Sequence, residues 1–270
     1  MEDQEAFVVV RRGPGVELQH GRYRNLQFAK HAHDDYSVSV NYNGVESIWL
    51  DGKTYSAVPG QITAYNPGEV QSGFSSEKEG WEIRALHLDV DWVARVLGEA
   101  AEAPRGYPIV RRAVIDDRQI MRLIGSLALD PAPLDPFDPR LVELTGCLFE
   151  RHGEAASSAA RDPASPGLRR AISYIHDHLA ETVSLATLST VSGLSPYYLT
   201  RACRAHTGFP PHQLQLQLRV QRARRMLARG KAISDVAYAL GFADQSHMHR
   251  LFQRSFGMTP GQYRAGSARG

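Results

Sequence analysis

The chain has 270 residues, 43% of them hydrophobic and 22% charged, which is typical of a globular protein with one large or two ordinary domains. No apolar run reaches the roughly 18 residues that a membrane span needs, and the acidic start MEDQEAF does not resemble a signal peptide. We therefore expect no membrane association, and the two cysteines on apolar helical faces, Cys147 and Cys203, favour the reducing cytoplasm.

The net charge of +2 conceals opposite charges in the two parts of the chain. Residues 167–270 contain 14 Lys+Arg against 4 Asp+Glu, a net +10, whereas residues 1–166 contain 17 against 25, a net −8. A basic, arginine-rich half is typical of a nucleic-acid partner, although by itself it equally fits a solvated basic surface.

Residues 1–110 have the pattern of a β domain. Short apolar or alternating runs recur there, and turn residues such as Asn43-Gly44 and Asp51-Gly52 separate them. Many short strands punctuated in this way predict a closed or double-sheet β architecture. The predicted strands are residues 7–11, 26–28, 36–42, 47–50, 61–65 and 82–88.

Two amphipathic helices are predicted after the β domain, at residues 116–130 and 139–152. They either cover the open face of the β domain or form a dimer contact. Residues 153–166 are small, polar and proline-containing, which indicates a linker, and a further helix is predicted at 167–180. The apolar positions are Ile120, Leu123, Ile124 and Leu127 on the first helix, and Leu141, Leu144, Cys147 and Leu148 on the second.

A helix–turn–helix pattern follows between residues 184 and 208. Leu185, Leu188 and Val191 recur at three-residue steps on one short helix, and Gly193 is suited to the left-handed turn that ends it. Ser195-Pro196 forms the N-cap and first turn of the next helix.

The same plan is repeated nearer the C-terminus. Residues 233–240 form a short apolar-faced helix, Gly241 turns the chain, and a helix with Met248, Leu251 and Phe252 on its inner face follows. A longer helix at residues 212–227 connects the two patterns. It would rise about 24 Å, which suits two recognition helices in successive major grooves.

The second pattern resembles the AraC/XylS family of bacterial transcription regulators. The run ISDVAYALGFADQSHMHRLFQRSFGMTPGQYR at residues 233–264 matches the family signature nearly throughout. Two departures occur at Cys203 and Met248, where the family usually has a large aromatic residue. More loosely, HAHDDY, VPGQITAYNPGEVQSG and GWEIRALHL are similar to the cupin-type effector-binding domain of many AraC relatives.

This resemblance implies an α+β protein of two domains. Residues 1–152 would form a cupin-like β-barrel with a helical dimerisation segment, and residues 153–166 the linker. Residues 167–270 would form an all-α domain with tandem helix–turn–helix motifs.

The resemblance also places the DNA-reading residues on the second helix of each motif. Arginine and glutamine suit this role because they make bidentate contacts with guanine and adenine. Arg204 and Arg254 lie further along their helices, where phosphate contact is expected. The candidates are Tyr197, Tyr198, Thr200, Arg201 and Arg204 in the first motif, and Gln245, Ser246, His249, Arg250 and Arg254 in the second.

The candidate ligand-binding residues lie in the predicted barrel, where aromatic and a few polar side chains suit a small organic ligand. Each aromatic residue could equally be ordinary core. Two histidines without further ligands make a poor metal site, so we predict neither a metal nor a cofactor. In strand 82–88 the pattern leaves open which face is inside. The candidates are His31, His33, Tyr36, Trp49, Tyr65, Trp81 and Arg84.

The sequence thus predicts a cytoplasmic, homodimeric regulator that binds double-stranded DNA at promoter half-sites and responds to a small-molecule effector. RNA polymerase is its expected further partner. Two alternatives remain at this point. One is a regulator of the same DNA-binding type that is controlled by a protein partner, and the other is a cupin enzyme with a DNA-binding tail. Whether it activates or represses is open.

Overall fold

The computed structural model describes residues 5–50, 52–75, 80–98, 108–130, 132–154 and 164–268. The chain forms two compact units, one of residues 1–158 with 254–270 and one of residues 159–253. In the described part, no helix combines the length and the apolar character needed to cross a bilayer. The predicted turn at residue 51 and residues 155–163 of the predicted linker lie outside the described residues.

The first unit contains two main sheets in which all pairs of strands are antiparallel. The larger has the order β1-β2-β8-β3-β6-β10, the smaller β5-β4-β7, and β9 pairs with β11. The strands are β1 (Glu5–Gly13), β2 (Val16–Arg24), β3 (Tyr36–Asn43), β4 (Glu46–Leu50), β5 (Lys53–Ala57), β6 (Ile62–Tyr65), β7 (Gln71–Phe74), β8 (Trp81–Leu88), β9 (Ile109–Val110), β10 (Val114–Ile115) and β11 (Gly153–Glu154).

The double-sheet architecture was predicted, but some strands were not. The predicted strand at residues 26–28 is wrong, because Gln27 makes only an isolated bridge with Phe74. The strands β2, β5 and β7 were missed. In β2 the buried residues include Glu17 and Gln19, so the strand lacks the apolar pattern that marks a buried strand. Residues 153–154 begin the predicted linker but form β11.

Residue alternation gives the large sheet two different faces. In β3, Val38 and Val40 belong to the main hydrophobic core, whereas Ser37 and Ser39 lie on the other face and line a cavity. In β8, Leu86 likewise joins the core. The sheet therefore separates an apolar core on one side from a polar cavity on the other.

Three helices accompany these sheets: α1 (Val90–Val96), α2 (Arg118–Leu129) and α3 (Pro139–His152). The predicted apolar faces of α2 and α3 are buried, with Ile120, Ile124, Leu141 and Leu144 each 0% exposed in the core cluster. The structure thus uses these faces to cover the sheet. Dimer formation stays a prediction and would use other parts of the helices.

The first unit also includes residues 254–270. The helix α10 (Pro260–Ala268) packs on β1, and the Tyr263 hydroxyl donates a buried hydrogen bond to Glu17 Oε2 at 2.7 Å. The Arg12 guanidinium lies 3.8 Å from the centre of the Tyr263 ring and bonds the same Glu17 carboxylate at 2.5 Å. The charge of the buried Glu17 carboxylate in β2 is therefore balanced by Arg12, and the carboxylate is hydrogen-bonded by Tyr263.

The second unit is helical. Its members are α4 (Pro166–Asp177), α5 (Leu185–Ser192), α6 (Pro196–Thr207), α7 (Pro211–Ala228), α8 (Ile233–Ala239) and α9 (Gln245–Phe256), whose last three residues count with the first unit. The predicted start and stop signals are confirmed. Ser195 Oγ accepts a hydrogen bond from Tyr198 N, Pro196 occupies the first turn, and Gly193 and Gly208 are left-handed caps. Leu185, which was predicted to face inward, is 39% exposed.

Buried polar side chains of α7 join the two helix–turn–helix motifs. The Arg219 guanidinium donates to the carbonyl oxygens of Leu179 at 2.7 Å, Glu181 at 2.7 Å and Gly241 at 2.6 Å. Gln215 Nε2 donates to Glu181 O at 2.9 Å. Leu179 and Glu181 precede the first motif and Gly241 is the turn of the second, so Arg219 holds both motifs to the connecting helix.

The turn at Gly241 leaves no space for a side chain. Its φ is +65°, and a Cβ built there would lie 1.8 Å from the carbonyl oxygen of Ala180. The chain segment that follows α4 and the turn between α8 and α9 therefore approach each other through backbone atoms.

Candidate nucleic-acid interface and ligand cavity

The second helix of each motif presents its predicted DNA-reading side chains to solvent. On α6, Tyr197 is 71% and Tyr198 54% exposed, which is unusual for large aromatic residues. Arg201 and Arg204 are also exposed, and Thr200 is half-buried. The inner face is formed by Leu199 and Cys203, both buried, so the helix is divided cleanly into a packed side and a polar side.

Arg201 is supported by its neighbour one turn earlier. Its guanidinium carbon lies 5.7 Å from the centre of the Tyr197 ring, and Nη1 lies 3.5 Å from the tyrosine hydroxyl. Such a contact limits the conformations of a long side chain without burying its charge. In contrast, the Thr200 hydroxyl donates to Pro196 O at 2.8 Å within its own helix. Arg201 is thus exposed with a restricted side chain, whereas the Thr200 hydroxyl is bonded within its own helix.

The helix α9 has the same division. Gln245, Ser246, Arg250 and Arg254 are exposed and His249 is half-buried. Met248 and Phe252, each 0% exposed, form its packed side. Asp244 Oδ1 accepts a hydrogen bond from His247 N at 2.6 Å and so caps the helix just before the first predicted reader. The role of each outer residue in reading DNA stays a prediction.

The cavity lies between the two sheets of the first unit. Its volume is about 60 Å³, enough for a few water molecules or a very small ligand and well below the roughly 300 Å³ of a typical drug-sized pocket. Most of its lining residues, eleven of sixteen, have a polar group in the side chain. The lining comprises Gln19, Tyr23, Phe28, His31, His33, Ser37, Ser39, Glu46, Tyr65, Gln71, Gly73, Ile83, Ala85, His87, Ser255 and Phe256.

Three of the seven predicted ligand-binding residues, His31, His33 and Tyr65, line this cavity. The face of β8 that the sequence left open is also determined, since Ile83, Ala85 and His87 point into the cavity. The positions of β3 and β8 that meet the cavity alternate along each strand, and all of them except Ile83 are polar or small. That alternation, Ser-Val-Ser-Val in β3, is the sequence signal that could have identified Ser37 and Ser39.

The other four predicted residues lie elsewhere in the first unit and are not among those that line the cavity. Tyr36 faces the core, where its hydroxyl donates to Pro108 O at 2.6 Å. Trp49 is half-buried with the Lys30 ammonium 3.3 Å from its ring centre. Trp81 packs between aromatic side chains, and the Arg84 guanidinium lies over the Tyr42 ring at 4.4 Å.

The interior of the cavity disfavours negative charge. Burial raises the pKa of Glu46 to about 7, although a hydrogen bond with Thr63 partly opposes the shift. Burial also raises the pKa of Tyr65 and of Tyr23, and the Glu46 carboxyl raises both further. Near neutral pH Glu46 can thus donate as well as accept a hydrogen bond, which suits an uncharged polar ligand.

Four polar side chains of the cavity lining and Asp35, which lies beside them, form one group. Gln71 Nε2 lies 2.9 Å from His31 Nε2 and 3.2 Å from His33 Nε2. His87 Nδ1 lies 3.2 Å from Asp35 Oδ1 on the opposite side of His33. The sequence pattern identified the His31–His33 pair, but it missed His87, which is distant in the chain and reaches the group through the pairing of β3 with β8.

Comparison with known proteins identifies a related domain in each of the two parts of the chain. Residues 13–162 match the AraC-like ligand binding domain, and residues 188–266 match a helix–turn–helix domain. The chain is 25% identical to the transcriptional activator RhaR of Shigella flexneri over 253 residues, 90% of this chain and 89% of that one. It is 23% identical to the HTH-type transcriptional regulator YbfI of Bacillus subtilis over 242 residues, 87% of each chain.

A shorter and stronger similarity concerns 100 residues that are 36% identical to the activator RhaS of an Enterobacter species, 37% of this chain and 36% of that one. Among solved structures, fatty-acid-bound ToxT of Vibrio cholerae has a similar fold, with a TM-score of 0.59 over 98% of this chain and 97% of that one at 13% identity. Since the ligand-binding-domain match alone spans more than half of the sequence, this chain belongs to the AraC family of transcriptional regulators.

Proposed function

We propose that this regulator reads promoter half-sites with α6 and α9, and that a small polar effector in the cavity sets its affinity for them. The observation that carries this proposal is the pair of helices whose outer sides expose arginine, tyrosine and glutamine in a region of net charge +10. Positive charge gives affinity for any duplex, whereas side chains that reach base edges select a sequence.

The DNA-reading assignment is tested with variants of single arginines. Duplexes selected from a randomised pool by the wild-type protein serve as the operator. Arg201→Ala and Arg250→Ala should each cost about 1–3 kcal/mol on that operator and relax selectivity at one position. Arg254→Ala should weaken binding to all duplexes alike and reduce the dependence on salt.

The matched control is Arg229→Ala, which removes the same charge from an exposed position just after α7. It should leave the sequence preference unchanged. Operator affinity in Arg201→Ala equal to that of the wild type at physiological salt would show that the first recognition helix has been assigned wrongly.

The effector should be compact, polar and largely uncharged. The cavity offers hydroxyl, amide and imidazole groups, and its most acidic side chain, Glu46, has a pKa of about 7. A panel of small polyols, sugars and amino-acid derivatives can be screened by the rise in melting temperature, since a ligand that binds only the folded state stabilises it. Ser37→Leu, which fills the cavity, should abolish the rise caused by any hit.

The cavity lining also supports a route from effector to DNA. Ser255 and Phe256 line it and end α9, the helix with the second set of predicted readers. The Phe256 ring centre is 6.4 Å from His31 and 6.2 Å from His33. A ligand larger than the present cavity that displaces Phe256 would bias the position of α9. A coupling of about 1–3 kcal/mol would change the affinity for DNA by about 5- to 150-fold.

Further parts of the proposal rest on the family. The active species would be a cytoplasmic homodimer, and transcription would involve RNA polymerase, as suits relatives named as activators. The functional division would be residues 1–152, 153–166 and 167–270, and the protein would have no catalytic activity of its own. Sedimentation of the full chain at tens of micromolar should show a dimer.

The alternative of control by a protein partner predicts a different result. No small molecule in the panel would then raise the melting temperature, while a partner recovered from the host would change operator affinity in the purified system. The enzyme alternative predicts that a cavity ligand is consumed during incubation. Mass spectrometry of the ligand before and after incubation separates this case from simple binding.

A further inference from the structure

His33, Asp35 and His87 bring three metal-binding side chains to one place. The Asp35 Oδ1 atom is 3.2 Å from His87 Nδ1 and 4.0 Å from His33 Nδ1, and the three ligand atoms all lie within 4.8 Å of one another. Their side chains are only 8%, 14% and 5% exposed, in the order His33, Asp35 and His87. Such a concentration of imidazole and carboxylate groups in a protein interior needs an explanation.

We propose that His33, Asp35 and His87 bind a divalent first-row transition metal ion such as Zn²⁺, Fe²⁺ or Co²⁺. Imidazole nitrogen is a good ligand for these ions, and one carboxylate offsets part of the metal charge in a buried place. The sequence predicted no metal because the His31–His33 pair, with Asp34 and Asp35 nearby, lacked a further histidine ligand. The fold supplies His87 from β8, and the carboxylate comes from Asp35.

The distances fit such a site after a small contraction. Metal–ligand bonds of about 2.1 Å at angles between octahedral and tetrahedral separate neighbouring ligand atoms by about 3.0–3.4 Å. The pair of Asp35 and His87 already has this separation, at 3.2 Å. His33 has to approach Asp35 by about 0.6–1 Å, and His33 and His87, whose ligand atoms lie within 4.8 Å, have to close to the same range by up to about 1.4 Å, which changes in side-chain torsion can supply.

The backbone holds these ligands in different ways. His87 is fixed within β8, where it pairs directly with Ser37 of β3. His33 and Asp35 lie in the irregular segment that leads into β3, and His33 O accepts a hydrogen bond from Gly68 N at 2.7 Å. One ligand is therefore rigid, and the other two belong to a segment whose side chains can adjust.

The neighbouring side chains determine which nitrogen of His33 faces Asp35. His31 Nδ1 lies 2.8 Å from Ala29 O, which can only accept, so the proton of His31 is on Nδ1 and its Nε2 is an acceptor. Gln71 Nε2 lies 2.9 Å from His31 Nε2 and 3.2 Å from His33 Nε2. His31 and Gln71 thus lie on the Nε2 side of His33, and Nδ1 is the ring nitrogen directed towards Asp35.

Three protein ligands leave coordination positions for water or for a small exogenous ligand. Since His33 and His87 also line the cavity, these positions would be accessible from it. The metal site does not depend on the proposed regulatory function, because it can be measured without DNA or an effector.

The test uses the full chain, prepared without a polyhistidine tag, freed of metal with a chelator and titrated with Zn²⁺ and Co²⁺ by calorimetry. The expected result is one bound ion per chain, with a visible Co²⁺ absorption spectrum that reports nitrogen and oxygen ligands. His87→Gln and the isosteric Asp35→Asn should each weaken binding by about a hundredfold or more and change that spectrum. Replacing His20, which pairs with Glu82 outside the cavity, by Gln is the matched control and should leave binding unchanged.

Circular dichroism of each variant verifies the fold, and Asp35→Asn preserves the shape of the site if His87→Gln does not fold. Binding of less than a tenth of an equivalent by the wild type would overturn the proposal and leave a buried histidine–aspartate ion pair. Equal binding by the wild type and both folded variants would also overturn it, because the metal would then be held by histidines elsewhere on the chain.

Discussion

Replacing Arg219 by methionine should destabilise the helical unit more than any exposed arginine substitution. The change keeps an unbranched apolar stem but removes the guanidinium that bonds Leu179 O, Glu181 O and Gly241 O. Burial lowers the pKa of Arg219, which shows that its charge is held in a partly desolvated place. Gly241 O would lose this donor outright, whereas Leu179 O and Glu181 O would keep only their hydrogen bonds from Gln215 Nε2, because methionine supplies no donor.

The size of the effect follows from these bonds. A hydrogen bond to a charged group contributes about 1.5–3 kcal/mol, and each buried carbonyl left without a donor costs about 1–3 kcal/mol. The desolvation that the arginine itself required offsets part of this sum. We therefore expect a loss of about 3–5 kcal/mol, comparable to breaking a buried ion pair. In a unit of this size, that loss lowers the melting temperature by at least about 12 °C.

The assay is denaturation of the full chain followed by far-ultraviolet circular dichroism. Arg222→Met, three residues along α7 at an exposed position, is the matched control and should change stability by about 0.5 kcal/mol or less. If Arg219→Met lost less than about 1 kcal/mol relative to this control, the three carbonyl bonds would not be what joins the two motifs.

Three further predictions concern the first unit. Because the folded pKa of Glu46 is raised to about 7 from 4.5, its contribution to stability is full below pH 4.5 and is lost as the pH rises through 7. Melting temperatures of Glu46→Gln should therefore exceed those of the wild type at pH 8, and no gain there would contradict the shift. Burial opposes ionisation of Asp117, but hydrogen bonds from His152, Arg151 and backbone N–H groups lower its pKa to about 2. The contribution of Asp117 to stability is therefore present above pH 3.8 and is lost as the pH falls through 2. Asp117→Asn should cost about 1–2 kcal/mol in urea denaturation at pH 7 and much less at pH 2, and an equal cost at both would refute the ion pair. Tyr263→Phe should cost about 1–2 kcal/mol by removing one donor to Glu17, and an unchanged urea midpoint would show that α10 does not depend on it.

The parts of the fold that the sequence predicted are those specified by local signals. Ser195, Pro196, Gly193 and Gly208 define the ends of α5 and α6 through their own backbone preferences, so the motifs were located correctly. Alternating apolar residues in β3 and β8 identified those strands. By contrast, β2 was missed because its buried Glu17 and Gln19 interrupt the apolar pattern, and the Tyr263 partner of Glu17 lies far away in the chain.

The candidate sites, like the fold, were predicted only where local sequence signals specify them. The polar outer sides of α6 and α9 were predicted, since helical spacing alone determines which residues share a side. The ligand cavity was predicted only in part, because Tyr36 and His87 could each face either way until the helices α2 and α3 covered one side of the sheet. Arg219 was not singled out from the sequence, because only its contacts with residues 22 to 40 positions away reveal its structural role.

The close approach at Gly241 also limits how the DNA-binding region can vary by mutation. A residue with a side chain at position 241 would have to adopt a left-handed backbone conformation, which side chains disfavour. Its Cβ would also occupy the place of the Ala180 carbonyl oxygen, so that backbone would have to move as well. Gly230, at the end of α7, has a φ of +78° but no atom within 4 Å of the point where a Cβ would lie. In a saturation library selected for operator binding, asparagine and aspartate should survive at position 230, whereas position 241 should return only glycine. The turn at Gly241 should thus tolerate no substitution, whereas the turn at Gly230, eleven residues earlier, should tolerate asparagine or aspartate.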